Sequence, residues 1–134
     1  MIGGIIISHG KLAEELLNAL TIILGEAVNL EAISIGWYDD VEESKKKINQ
    51  SLKRVDQKNG VLIFTDMFGG TPSNISFSFL KDNQVEIITG VNLPMLIKFA
   101  SLQRTNNLKE VAKKIVEQGR KNIHLASLLL KGKD

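Results

Sequence analysis

The chain has 134 residues, 43% of them hydrophobic and 24% charged, with a formal net charge of +2 and no cysteine. That length and mix describe a single domain, residues 1–134, with enough apolar residues for a sizeable core. Without cysteine there are no disulfides or thiolate–metal sites; with 5% aromatics and scattered lysines there is no nucleic-acid patch; and no apolar stretch nears the roughly 18 residues of a spanning helix.

The opening MIGGIIISHG lacks the basic leader and long apolar region of a signal peptide, so the chain reads as cytoplasmic. Ile2 to Ser8 is apolar and β-branched, as suits a strand buried on both faces, and it contains Gly3-Gly4. Leu12, Leu16, Leu20 and Ile23 then share one helical face, with Gly25 as the stop. A second strand is expected at Leu30 to Ile35. Asp40, three residues before Glu43, opens an amphipathic helix through Val55, and Asn59-Gly60 breaks the chain. Lys45 to Lys47 reads as its solvated face.

VLIFTD is another continuous apolar run, and MFGGTPSN leads into a helix over Ile75 to Leu80. Thr71 is expected to cap that helix, with Pro72 at its first position. A fourth strand reads at Val85 to Thr89. GVNLP is a turn, Pro94 opens a helix through Leu102, and Asn107 with Glu110 forms a second capping box. Leu108, Val111, Ala112, Ile115 and Val116 make an apolar stripe that Gly119 should end. Asn122 to Leu130 fits a strand or a short helix, and residues 131–134 (KGKD) a frayed tail.

Alternating strands and helices with continuous apolar strands imply an α/β fold: a doubly wound, mainly parallel sheet covered by helices on both faces. Ligands of such sheets bind beyond the carboxyl ends of the strands. His9 follows strand one and Asp66 follows strand three, strands that are neighbours in most small folds of this kind. A carboxylate on one imidazole nitrogen fixes the tautomer and leaves the other nitrogen to attack. Ser8 is a poor triad partner, because adjacent strand residues point to opposite faces. The histidine is then itself the candidate nucleophile, against the plainer reading of a strand-end histidine bonded to backbone. Gly10 would leave room beside it.

Gly69, Gly70 and Thr71 are the second candidate, as backbone N–H groups and a hydroxyl before a helix for an anion; an ordinary glycine turn is the alternative. No Walker loop occurs. Metal binding is weak: His9 and His124 are far apart in sequence, and Asp39, Asp40, Glu42 and Glu43 read as a helix start. His124 alternates with Ile123 and Leu125, as on an edge strand or interface. Trp37 and Tyr38 line the site or a subunit contact, and Phe68 is an exposed aromatic beside it. With no nucleotide or magnesium equipment, the set points to phosphoryl transfer between proteins and needs no cofactor.

GIIISHGKLAEELLNAL, GVLIFTDMFGGTPSN and ITGVNLPML together resemble the IIA component of the mannose/fructose/sorbose-class sugar phosphotransferase system, over about residues 2 to 125. The resemblance implies a cytoplasmic phosphocarrier. Its histidine, His9 here and through Nε2, takes phosphate from the histidine-containing phosphocarrier protein. It passes it to the IIB component, which serves the membrane IIC and IID components. Asp66 would bond the other nitrogen, while Gly10, Phe68, Gly69, Gly70 and Thr71 would surround the phosphoryl group. Some relatives have tryptophan at Phe68 and serine at Thr71. The resemblance also implies a homodimer exchanging a C-terminal antiparallel strand near Asn122 to Ser127. Alternatives are the phosphocarrier subunit of dihydroxyacetone kinase, which the GGTP loop and GVNLP disfavour, a non-catalytic phosphohistidine regulatory module, and a plain anion-binding domain.

Overall fold

A computed structural model describes residues 1–36 and 38–132. The expectations for Trp37 and for the last two residues of the tail lie outside the described residues. Ten elements follow in order: β1 (Gly3–His9), α1 (Leu12–Leu24), β2 (Leu30–Ile35), α2 (Val41–Val55), β3 (Val61–Thr65), α3 (Thr71–Phe77), β4 (Val85–Thr89), α4 (Leu93–Leu102), α5 (Leu108–Lys121) and α6 (Ala126–Leu130). The strands form one all-parallel sheet in the order β2-β1-β3-β4. β1 and β3 are therefore interior neighbours, and their carboxyl ends carry His9 and Asp66 to one edge.

Both faces of the sheet are covered, which is why the interior strands are apolar without alternation. Ile6, Leu62, Phe64 and Ile88 face α1, α4 and α5, where Leu20, Leu96, Phe99, Val111 and Ile115 close the core. Phe64 and Phe99 meet edge to face at 5.4 Å between centroids. Ile5, Ile7 and Ile63 face the other way, onto Ile48 and Val55 of α2 and Ile75 of α3. Each fully buried isoleucine of this kind contributes about 1.5–3 kcal/mol.

Gly3 and Gly4 in β1 answer to space. A Cβ on Gly3 would overlap the Val55 carbonyl, and one on Gly4 would stand 2.7 Å from both Leu30 Cδ1 and Phe99 Cζ. The caps at Asp40 and Asn107 are present: their side chains accept from Glu42 N–H and Glu110 N–H. Gly25 ends α1 in the left-handed conformation, φ 71°, with its N–H on the Thr21 carbonyl.

Five expectations are corrected. The buried face of α1 runs through Ala13 and Leu20 with Leu16, Leu17 and Leu24 beside them, while Leu12 and Ile23 are exposed. The stripe is rotated because α1 packs on both the sheet and α4. Gly70, not Thr71, caps α3, since the first helical bond runs from Asn74 N–H to the Gly70 carbonyl at 3.0 Å. Beyond Phe77, i→i+3 bonds to Ile75, Ser76 and Phe77 replace the helix expected to reach Leu80. Gly119 lies inside α5 rather than at its end, because a Cβ there would overlap Met95 Cε of α4. The antiparallel strand expected at Asn122–Ser127 is not formed in the single chain. Ile123 to Leu125 have no regular structure and Ala126–Leu130 is helical. A strand needs a ladder partner; here the Ile123 N–H turns back to the Arg120 carbonyl of α5, and the Leu128 and Leu129 N–H groups close on the Leu125 carbonyl.

Candidate functional site

His9 ends β1 and Asp66 follows β3, and their side chains meet with 2.7 Å between Nδ1 and Oδ2. The same Oδ2 accepts the His9 backbone N–H at 2.9 Å, and Oδ1 accepts the Met67 N–H at 2.9 Å. Burial pushes the Asp66 carboxyl up, but the hydrogen bonds from the His9 N–H and ring and from Met67 outweigh it and hold the carboxyl below its usual range. The carboxylate is therefore ionised, so the proton in the 2.7 Å contact sits on Nδ1. In a neutral ring that leaves the lone pair on Nε2. Half of the His9 side chain is exposed, against 10% of Asp66: the ring faces solvent and its carboxylate partner is tucked behind it.

Nε2 opens on a cleft of about 720 Å³ whose walls include Gly10, Gly36, Asp39, Gly69, Gly70, Thr71 and Asn74. The structure thus brings His9, Gly10, Gly69, Gly70 and Thr71 onto one cavity. Gly10 has φ +53° and a Cβ there would meet nothing within 4 Å, so conformation rather than room calls for glycine. Gly69, at φ +90°, is the same case. Phe68 is 72% exposed and its ring tilts against Phe77, 6.0 Å between centroids. Met67 is also exposed, and neither side chain is among the residues that line the cleft. Tyr38 is fully exposed, and Ile123 and Leu125 flank His124 in the exposed C-terminal segment. Among the described residues no group of three or more His, Cys, Asp or Glu is placed to hold a metal ion, and no helix is long and apolar enough to cross a membrane.

Four residues take roles that the sequence reading did not give them. Ser8 is fully buried, and its hydroxyl accepts the Ala13 N–H at 2.7 Å, capping α1 where Lys11 makes no side-chain cap. Asp39 accepts the Gly36 N–H at 2.7 Å and so shapes the wall across the cleft. Ser73 and Asn74 belong to the first turn of α3. The serine before a helix was a legible capping signal; the other three depend on loop closure.

Residues 3–116 match the family model described as the fructose IIA component of the phosphotransferase system (PTS). The chain is 31% identical over 128 residues to the PTS fructose-specific EIIA component of Bacillus subtilis, covering 95% of this chain and 88% of that protein. It is 33% identical over 123 residues to the PTS mannose-specific EIIAB component of Escherichia coli K12, covering 87% of this chain but 36% of that longer protein. In fold it is similar to the crystal structure of a phosphotransferase system component EIIA from Streptococcus agalactiae. The TM-score is 0.85 at 23% identity, over 95% of this chain and 98% of that one.

Proposed function

The chain belongs to the mannose/fructose-class IIA family of the PTS, and on that premise we propose that His9 Nε2 is its phospho-acceptor. The donor is the histidine-containing phosphocarrier protein and the acceptor is the IIB component, in the cytoplasm. The Nδ1–Asp66 contact at 2.7 Å carries the reading. It presents an imidazole with a fixed proton and a solvent-facing lone pair.

In the first transfer the His9 Nε2 lone pair forms a P–N bond as the donor's P–N bond breaks in line; in the second, that new bond breaks as the acceptor nitrogen of IIB forms its own bond to phosphorus and Nε2 recovers its lone pair. The Nδ1 proton stays beside Asp66, so the ring becomes positively polarised next to a carboxylate without releasing a proton. A carrier must bind its phosphoryl group in near balance with donor and acceptor, so stabilisation belongs at the in-line transition state. The neighbours on the cleft suit that. Gly70 and Thr71 offer neutral donors beside Gly69, whose own N–H is taken by Ser73, and no arginine lies in the loops after the strands. The exposed apolar side chains of Met67 and Phe68, next to Asp66 in sequence, fit transient docking by two successive partners. Membrane IIC and IID components are reached only through IIB.

The chain is further read as a homodimer through its C-terminal segment. β4 is an open sheet edge, and between it and α5 runs a groove of about 540 Å³ floored by Ile87, Ile88, Ala112 and Val116. Ile123, Leu125 and Leu128 to Leu130 stand exposed nearby in sequence, in need of cover.

Incubation with phosphoenolpyruvate, enzyme I and the phosphocarrier protein tests the acceptor. The expected result is one acid-labile, base-stable phosphate per chain, absent in His9→Ala. No label on the wild type, or full label on His9→Ala, overturns the reading.

A further inference from the structure

A carboxylate on Nδ1 fixes one point of an imidazole, and the ring can still swing about its Cβ–Cγ bond. His9 is half exposed, so general crowding does not stop it. A second contact does. A Cβ built on Gly70 would stand 2.6 Å from His9 Cε1 and 3.1 Å from Nε2, so the Gly70 backbone is packed against the ring edge that bears the reacting nitrogen. Gly70 is held in its turn. The Ser73 hydroxyl accepts the Gly69 N–H at 3.1 Å and donates to the Gly70 carbonyl at 3.1 Å. Ser73 is fully buried, so this bridge is not shared with solvent. Asn74 N–H reaches the same carbonyl at 3.0 Å.

We infer that Ser73 is a positioning residue for phosphoryl transfer, its hydroxyl holding the Gly69–Gly70 peptide against the imidazole as a backstop that complements Asp66. The inference rests on the reading of His9 as phospho-acceptor. Pinned at Nδ1 and along the Cε1–Nε2 edge, the ring keeps its lone pair aimed into the cleft before a partner arrives. Misplacement of a reacting group by about 1 Å can cost about 10²-fold in rate. Ser73→Ala leaves the Asn74 bond in place, so its expected loss is smaller, about 10-fold in kcat. KM should not change, because a buried serine touches no partner. Gly70→Ala forces the ring aside and should cost about 10²-fold.

The test pairs transfer kinetics with long-range 15N–1H spectra of the imidazole. His9 is assigned by comparison with His124→Gln, since the chain has two histidines. In the wild type, Nδ1 and Nε2 are expected as separate protonated and unprotonated nitrogens. In Ser73→Ala and Gly70→Ala they should shift toward averaged values while amide spectra report a retained fold. Should Ser73→Ala not fold, Ser73→Cys, which keeps the volume and weakens both hydrogen bonds, carries the same readout. An unchanged ring spectrum, or a changed one with unaltered kcat, overturns the proposal. The spectra need no phosphate donor, so a wild type that takes no label would remove the phosphocarrier reading while the ring contact is judged separately.

Discussion

Asp66 holds three donors at once, and its two kinds of bond have separable consequences. The bonds from the His9 and Met67 N–H groups tie the ends of β1 and β3 together, while the bond from Nδ1 orients the ring. Asp66→Ala should therefore slow transfer by about 10- to 100-fold and still permit labelling, because the nucleophile remains. A variant as fast as wild type removes Asp66 from the mechanism. The lost hydrogen bonds should also destabilise the fold by about 1–3 kcal/mol, read by urea unfolding. The pH dependence has a definite sign. The native carboxyl titrates below its unfolded value of about 3.9. As pH falls from there toward the lower native value, the unfolded chain binds a proton that the folded chain refuses, and stability drops. In Asp66→Asn that contribution to the acid limb should vanish; an identical acid limb in both proteins would contradict it. The His9–Asp66 pairing was legible because strands one and three of a small parallel sheet end side by side. The roles of Ser73 and Asp39 were not, since their partners are loop backbone groups that meet them only once the loops close.

The elements themselves were readable from periodicity, caps and breakers, with β2 and β4 found at their observed limits. The errors lie where glycine serves packing instead of punctuation. Gly119 has the look of a helix stop, but it is a close approach of α5 to α4, and its carbonyl accepts from Asn92 Nδ2 at 3.2 Å. The two kinds of tight glycine should differ when given a methyl group. At Gly3 the obstacle is the Val55 carbonyl, main chain at the end of α2, which yields only by moving the helix. At Gly119 it is the Met95 side chain from Cγ, at 2.6 Å, to Cε, which can take another rotamer where main chain cannot. Gly3→Ala is expected to cost about 3 kcal/mol, at the upper end for overpacking, and Gly119→Ala about 1 kcal/mol. Urea denaturation of the two variants checks the order, and a larger loss at Gly119 would refute this account. At the other end of α5, Asn107→Ala should cost about 1 kcal/mol through loss of the bond from Glu110 N–H.

At the scale of the whole molecule the unfinished part is the C-terminus. Its alternation of Ile123, His124 and Leu125 carries the strand pattern, yet the single chain leaves those residues without regular structure and coils the next five into α6. A period of two identifies a face to be buried but not what buries it, so a segment whose partner lies on another molecule is legible in kind and not in place. The proposed dimer supplies that partner: the β4 edge of a second copy, beside the apolar floor of the β4–α5 groove. The rim of that groove includes Lys109, Lys113 and Arg120, while the incoming Asn122–Ser127 brings no acidic side chain. Apolar burial and backbone pairing, not charge, must then hold the dimer. Its stability should be nearly insensitive to salt and sensitive to Ile123 and Leu125. Fully buried, each such side chain contributes about 1.5–3 kcal/mol, so the double variant Ile123→Asp/Leu125→Asp should raise the dimer Kd by at least about 10²-fold. Sedimentation velocity over a concentration series reads this directly. The wild type should sediment as a dimer in low and high salt, and the double variant as a monomer with an unaltered far-UV spectrum. A wild-type monomer at tens of micromolar, or a double variant that stays dimeric, would place the subunit contact elsewhere and return α6 to a merely local role.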